Sequence, residues 1–155
     1  MSDSFTGLAE IRQLYADYLE QVRQAELSRK PLEGYMGFGR RLGNDPCHGE
    51  FAKALEDLLG DIAGRWPDSG ETRAMLEYIY RAPMEHREPL AVYWMLIAVH
   101  GPTIQLLDRL NREDLLEIWT EYKKLYQRGD RLPVQKKVLA ALRSRARHSS
   151  HSLES

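Results

Sequence analysis

The sixteen residues from Gly34 to Gly49 concentrate the residue types that could do chemistry in this chain. They include five of the eleven glycines, the adjacent Arg40 and Arg41, and the only cysteine, Cys47. Flexible backbone, two guanidinium groups and the free N–H groups of a helix start can together bind an anion. The glycine spacing matches neither the dinucleotide-binding fingerprint nor the P-loop. One interpretation is therefore a small anionic ligand at Arg40, Arg41 and Cys47, and the other is a tight structural turn.

Cys47 is the residue best placed for nucleophilic chemistry. Asp45 and Pro46 predict a helix start with Asp45 as the N-cap and Pro46 as the first helical residue, so Cys47 falls in the first turn. The positive end of the helix dipole favours a thiolate there. A nucleophilic cysteine also needs a base. His48 is adjacent in sequence but on a different azimuth, so His86 or His100 would have to approach Cys47 through the fold. The alternative interpretation is a small packing residue at a helix start.

Metal binding is the next chemistry to consider, with Cys47, His48, His86 and His100 as the available ligands. Their spacing contains neither a Cys-x-x-Cys pair nor two histidines four residues apart, which are the usual zinc patterns. Paired acidic residues lie at predicted helix starts or on polar faces, so they do not indicate acid–base chemistry. We therefore predict no metal and no cofactor. The enzyme question stays open, with a preference for no enzymatic activity.

The tyrosines favour a binding surface. The chain has eight tyrosines and three tryptophans. Tyr78 and Tyr80 lie two residues apart on one predicted helix and point to different faces, and Tyr122 and Tyr126 lie one turn apart on another. Exposed tyrosine and tryptophan are common anchors of protein interfaces. We predict an interface that includes these four residues, and the alternative is a core-edge position with each hydroxyl in water.

The elements that must position these residues all have the periodicity of helices. Apolar residues from Leu8 to Val22 recur at spacings of three and four, which is typical of an amphipathic helix. Further helices are predicted to start near residues 46, 69, 88, 112 and 133. The segment from Leu90 to Val99 is apolar all round, so we expect a central helix buried on most sides, with a kink or stop at Gly101-Pro102.

No strand pattern of useful length occurs, and this organisation predicts an all-α, single-domain bundle of six to seven helices. A short right-handed stack of helix pairs is the alternative. The domain is expected over residues 1–147, followed by a disordered tail over 148–155. The end of the chain is basic: residues 131–155 carry six Lys or Arg and one acid, whereas the first 130 residues carry 16 basic and 22 acidic ones. No recognition helix accompanies these basic residues, so nucleic acid is not the favoured partner.

Composition limits the remaining classes of function. The 155 residues are 43% hydrophobic and 29% charged with a net charge of −1, which is typical of a globular protein. One cysteine cannot form an internal disulfide, and the longest apolar run is too short to span a bilayer. The polar N-terminus lacks the apolar core of a signal peptide. We therefore expect a cytoplasmic protein without a membrane partner, acting as a protein-binding or self-associating module.

Overall fold

Helices account for nearly all of the chain that our computed structural model describes, namely residues 7–28, 46–88 and 90–154. Six α-helices occupy these residues: α1 (Gly7–Ser28), α2 (Pro46–Gly64), α3 (Ser69–Glu85), α4 (Leu90–Ala98), α5 (Arg112–Leu125) and α6 (Pro133–Glu154). Two 3-10 helices complete them, η1 (Gly101–Arg109) and η2 (Arg128–Asp130). The described ranges contain no β-strand, and the predicted all-α fold is confirmed.

Two elements, α3 and η1, form the centre of the bundle. Helix α3 packs against α1, α4, α5 and η1, and η1 packs in addition against α2 and α6. Helix α6 lies along α5 and η1. Because the first and the last helix each contact one member of this central pair, the arrangement is a bundle, and its contacts do not require a regular stack of helix pairs.

The helices α3 and α5 run parallel, and polar contacts fix their N-terminal ends. Asp68 caps α3 in the predicted capping box, and Asn111 caps α5 by accepting the Asp114 N–H at 2.8 Å. The Asp114 carboxylate accepts hydrogen bonds from the Ser69 hydroxyl and from the Arg73 guanidinium. These contacts set the register of the two helices, and therefore the relative position of their C-terminal ends.

Helix α4 is less buried than the sequence predicts. Its core face consists of Val92, Leu96 and Ile97, whereas Leu90 and Trp94 are exposed. The expectation of a helix buried on most sides is wrong because the nine residues of α4 pack mainly on one face, against α3 and to a lesser extent α6. Large apolar side chains are thereby left at the surface.

The predicted break at Gly101-Pro102 is present. Pro102 lies at the start of η1, and the axes of α4 and η1 differ by 42°. Within the described residues, no single helix is both long enough and apolar enough to cross a membrane, and only this bent pair reaches that length and composition together.

Helix α6 is longer than predicted. It continues to Glu154, through the segment 148–154 for which we expected a tail. The sequence after Arg147 contains no glycine or proline that would stop a helix. The inner face of α6 includes Val138 and Leu142 as expected, and its outer face carries exposed lysines and arginines.

Truncation of Leu107 to alanine should lower the free energy of unfolding by about 2–5 kcal/mol, because this side chain is fully buried in η1 at the centre of the bundle. Urea denaturation followed by circular dichroism measures the change. The control is Leu27→Ala, since Leu27 is 67% exposed, and it should change the stability by less than about 0.5 kcal/mol. Equal effects of the two substitutions would contradict the central position of η1.

Candidate functional site

A groove of about 860 Å³ opens between the C-terminal ends of α3 and α5 and the exposed face of α4. Aliphatic and aromatic side chains form most of its lining: Met84, Leu90, Tyr93, Trp94, Leu125 and Tyr126. Arg87, Lys124 and Gln127 complete it. Both cations are exposed, so the groove combines an apolar wall with a positively charged rim.

The wall of the groove comes from the uncovered face of α4. Leu90 and Trp94 are one helical turn apart and therefore share a face, with 59% and 45% of their surfaces exposed. The Tyr93 and Trp94 rings pack edge to face, with 5.0 Å between their centroids. Two large apolar side chains exposed side by side in a concave site are stronger evidence of a binding site than isolated ones, because contiguous apolar patches on monomers are often functional.

Tyr126 forms the floor of the groove and is held in place by polar contacts. Its hydroxyl donates to the Tyr80 carbonyl at 2.6 Å, and its own carbonyl accepts from the Arg131 Nε at 2.8 Å. Its ring centroid lies 5.0 Å from that of Tyr122 and 5.7 Å from that of His100. Burial raises the pKa of Tyr126 well above its ordinary value. The floor is therefore a fixed and uncharged surface.

Beneath this floor, His100 is completely buried in a directed chain of hydrogen bonds. Its Nδ1 lies 2.8 Å from the Tyr122 hydroxyl, and the Gln135 side chain hydrogen-bonds to the same hydroxyl. Gln135 Oε1 accepts the Leu132 N–H at 2.8 Å, and the Gln135 side chain lowers the pKa of Tyr122, which is the effect of a donor to the Tyr122 oxygen. The Tyr122 hydroxyl can then donate to Nδ1, which places the imidazole proton on Nε2.

His100 is a neutral core residue and not the base considered from the sequence. Burial lowers its pKa to about 3, and the backbone of Ile79 opposes part of that shift. Its Nε2 makes no well-formed hydrogen bond within the described residues. A general base needs a pKa near the working pH and access to a substrate proton, and His100 has neither.

His86 is the C-cap residue of α3, and the other residues considered for chemistry fall outside the described part of the structure. Arg40 and Arg41 lie there, as do the side chains of Cys47 and His48, so the anion site and the reactive thiol stay predictions. The start of α2 at Pro46 agrees with the helix-start pattern. Among the residues that are described, no group of three or more His, Cys, Asp or Glu could hold a metal ion.

The tyrosines predicted for an interface are placed differently from one another. Tyr80 and Tyr122 are only 3% and 1% exposed, so the exposed rings that the prediction requires are not there. Their helices, α3 and α5, run side by side and turn both rings inward, with 4.9 Å between the ring centroids. Tyr78 is half-buried and packs edge-on against Tyr15. Tyr126 is 4% exposed but does line the groove.

Sequence patterns did not indicate Arg87, Leu90 and Trp94 as site residues. The available signal was the apolar segment that begins at Leu90, which is hydrophobic on every side but short. Nine helical residues are about 13 Å long, and a helix of that length can be covered on one face while its opposite face stays exposed. Periodicity alone could not indicate which face would be covered.

Comparisons with known proteins add no functional assignment. The chain matches no protein-family model, no curated protein and no solved structure. The function proposed below therefore rests on the geometry and chemistry of the groove.

The free energy of unfolding should fall as the pH drops below about 6.5, the ordinary pKa of histidine. His100 stays neutral in the folded chain, whereas the unfolded chain takes up a proton. The contribution is complete above that pH and is lost toward the folded-state pKa of about 3. We expect a loss of about 2 kcal/mol between about pH 6.5 and 5, since one pKa unit corresponds to about 1.4 kcal/mol.

Urea denaturation at a series of pH values measures this loss. The comparison is His100→Asn, which cannot titrate and should show a weaker dependence over the same range. The same pH dependence in both proteins would contradict a buried, neutral His100.

Proposed function

We propose that this protein is a non-enzymatic binding module whose groove receives an apolar segment of a protein partner. The observation that carries the proposal is the exposed pair Leu90 and Trp94, placed in a concave site above the fixed floor of Tyr126. Binding grooves are typically lined by apolar and aromatic side chains with a few polar groups at defined positions. Tryptophan and tyrosine are also enriched among the residues that dominate binding energy.

The composition of the lining supports binding over catalysis. The described residues that line the groove include no histidine, cysteine, serine, threonine or carboxylate, so they do not form the usual nucleophile and base pairs. The Tyr126 hydroxyl is already engaged with the Tyr80 carbonyl. Arg87 and Lys124 are exposed, where a cation is suited to pairing with a charged partner.

The bound segment belongs either to a different protein or to a second copy of this chain. Measuring the mass in solution by light scattering over a range of concentrations separates the two cases. A cytoplasmic setting is part of the proposal, supported by the lone cysteine.

Replacement of both Leu90 and Trp94 by serine should weaken partner binding by at least about tenfold, because truncation of apolar anchors at a binding site typically costs more than about 1–2 kcal/mol. The fold should persist, since Leu90 is 59% and Trp94 45% exposed in the free protein. Binding to a different protein is measured as the amount of that partner retained on the immobilised protein. Self-association is measured by light scattering.

The matched control is Leu27→Ser, which removes an exposed apolar side chain from α1, outside the groove. Binding that survives Leu27→Ser and is lost with the Leu90 and Trp94 double substitution supports the groove as the binding site. Binding that survives the double substitution unchanged would refute it.

A further inference from the structure

We infer that the segment received by the groove is an amphipathic helix whose polar edges carry carboxylates. This rests on the proposed function and specifies the chemistry of the partner. The first observation is Arg87 at the groove rim. Its Nη2 lies 3.4 Å from the Met84 Sδ, and a thioether sulfur is only a weak acceptor. Within the described residues, the Arg87 guanidinium forms no ion pair with a carboxylate.

Four arginines elsewhere in the bundle have a pairing that Arg87, like Arg112 and Arg143, lacks within the described residues. Arg65, Arg73, Arg81 and Arg145 each pair with a carboxylate on a different helical element. These pairs form in a chain whose first 130 residues contain more acids than bases. A guanidinium that has no such partner, beside an exposed apolar wall, is available to a carboxylate that arrives with the bound segment.

The charged residues of the described lining have one sign. Among the lining residues that the structure describes, Arg87 and Lys124 are the only ones ionised at neutral pH. Lys124, like Arg87, pairs with no carboxylate in the described ranges, and Arg131 is held next to the groove by its hydrogen bond to the Tyr126 carbonyl. Glu88 follows Arg87 in the chain but is not part of the lining. An apolar wall bordered by cations is complementary to an apolar face bordered by carboxylates.

The shape of the groove favours a helical occupant. The described residues offer no sheet edge to which an extended strand could add. A volume of about 860 Å³ is equivalent to about two turns of a helix with a diameter of about 10 Å. Leu90 and Trp94, one turn apart on α4, match the spacing of apolar anchors on a docked helix.

Two synthetic peptides of about four helical turns test the inference. Both carry leucines at helical spacing, and they differ only along the polar edges, where one has glutamates and the other has glutamines. Fluorescence anisotropy of labelled peptide measures affinity. We expect the acidic peptide to bind about tenfold more tightly at low salt, and this advantage to shrink at about 0.5 M salt.

Neutralising the rim should remove this preference. The double substitution Arg87→Gln and Lys124→Gln should weaken the acidic peptide about tenfold and leave the neutral peptide unchanged. The matched control is Lys136→Gln with Lys137→Gln, which removes the same charge from exposed positions on α6 outside the lining. The control should leave the affinity for both peptides unchanged.

Failure of the inference can be separated from failure of the proposed function. An acidic peptide that does not bind, or equal effects of the rim and control substitutions, overturns carboxylate recognition. A proline-rich acidic peptide that binds more tightly than the helical one overturns the helical occupant. In each case the Leu90 and Trp94 double substitution still tests the groove itself. Peptide binding that this double substitution leaves intact overturns both.

Discussion

The parallel packing of α3 against α5 is the constraint on which the groove depends. At the N-terminal ends, Asp114 accepts from Ser69 and Arg73. Near the C-terminal ends, the Tyr126 hydroxyl donates to the Tyr80 carbonyl at 2.6 Å. Sliding one helix along the other would leave such groups unpaired, at a cost of about 1–3 kcal/mol for each buried group. The floor of the groove is therefore set by a fixed helix pair and not by a loop.

A second polar network holds three more elements against this pair. The chain from Gln135 through Tyr122 to His100 joins α6, α5 and the junction between α4 and η1. Hydrogen-bonded polar groups in a low-dielectric interior favour one arrangement of the elements around them. The network therefore fixes where α4 ends, and with it the position of the exposed wall formed by Leu90 and Trp94.

The groove is apolar and positively charged because the described helices leave the outer face of α4 and the end of α3 exposed. Because α3 and η1 already occupy the centre, α4 packs on one face, and the end of α3 carries Arg87 beyond the carboxylates that pair with its other arginines. Exposed apolar side chains beside unpaired cations do not stabilise an isolated monomer. Their placement in one concave site is the basis of the proposed binding partner, which would supply both an apolar face and negative charge.

The sequence by itself determined the features that depend only on residues within a few positions of one another in the chain. The stripe of α1, the start of α2 at Pro46, the capping box at Asp68 and the Asn111 cap of α5 all agree with its patterns, because caps and periodicity are local. It also gave the break after α4, since Gly101-Pro102 disrupts a helix whatever surrounds it.

Only the tertiary structure decided which apolar faces are covered. Tyr80 and Tyr122 became core residues because α3 and α5 lie side by side, whereas Leu90 and Trp94 stayed at the surface because none of the described helices packs over them. A 3.6-residue period shows which side chains share a face, but the burial of that face depends on residues distant in sequence. The groove was therefore not predictable from the sequence alone, because it forms beside a face of α4 that no other described helix covers.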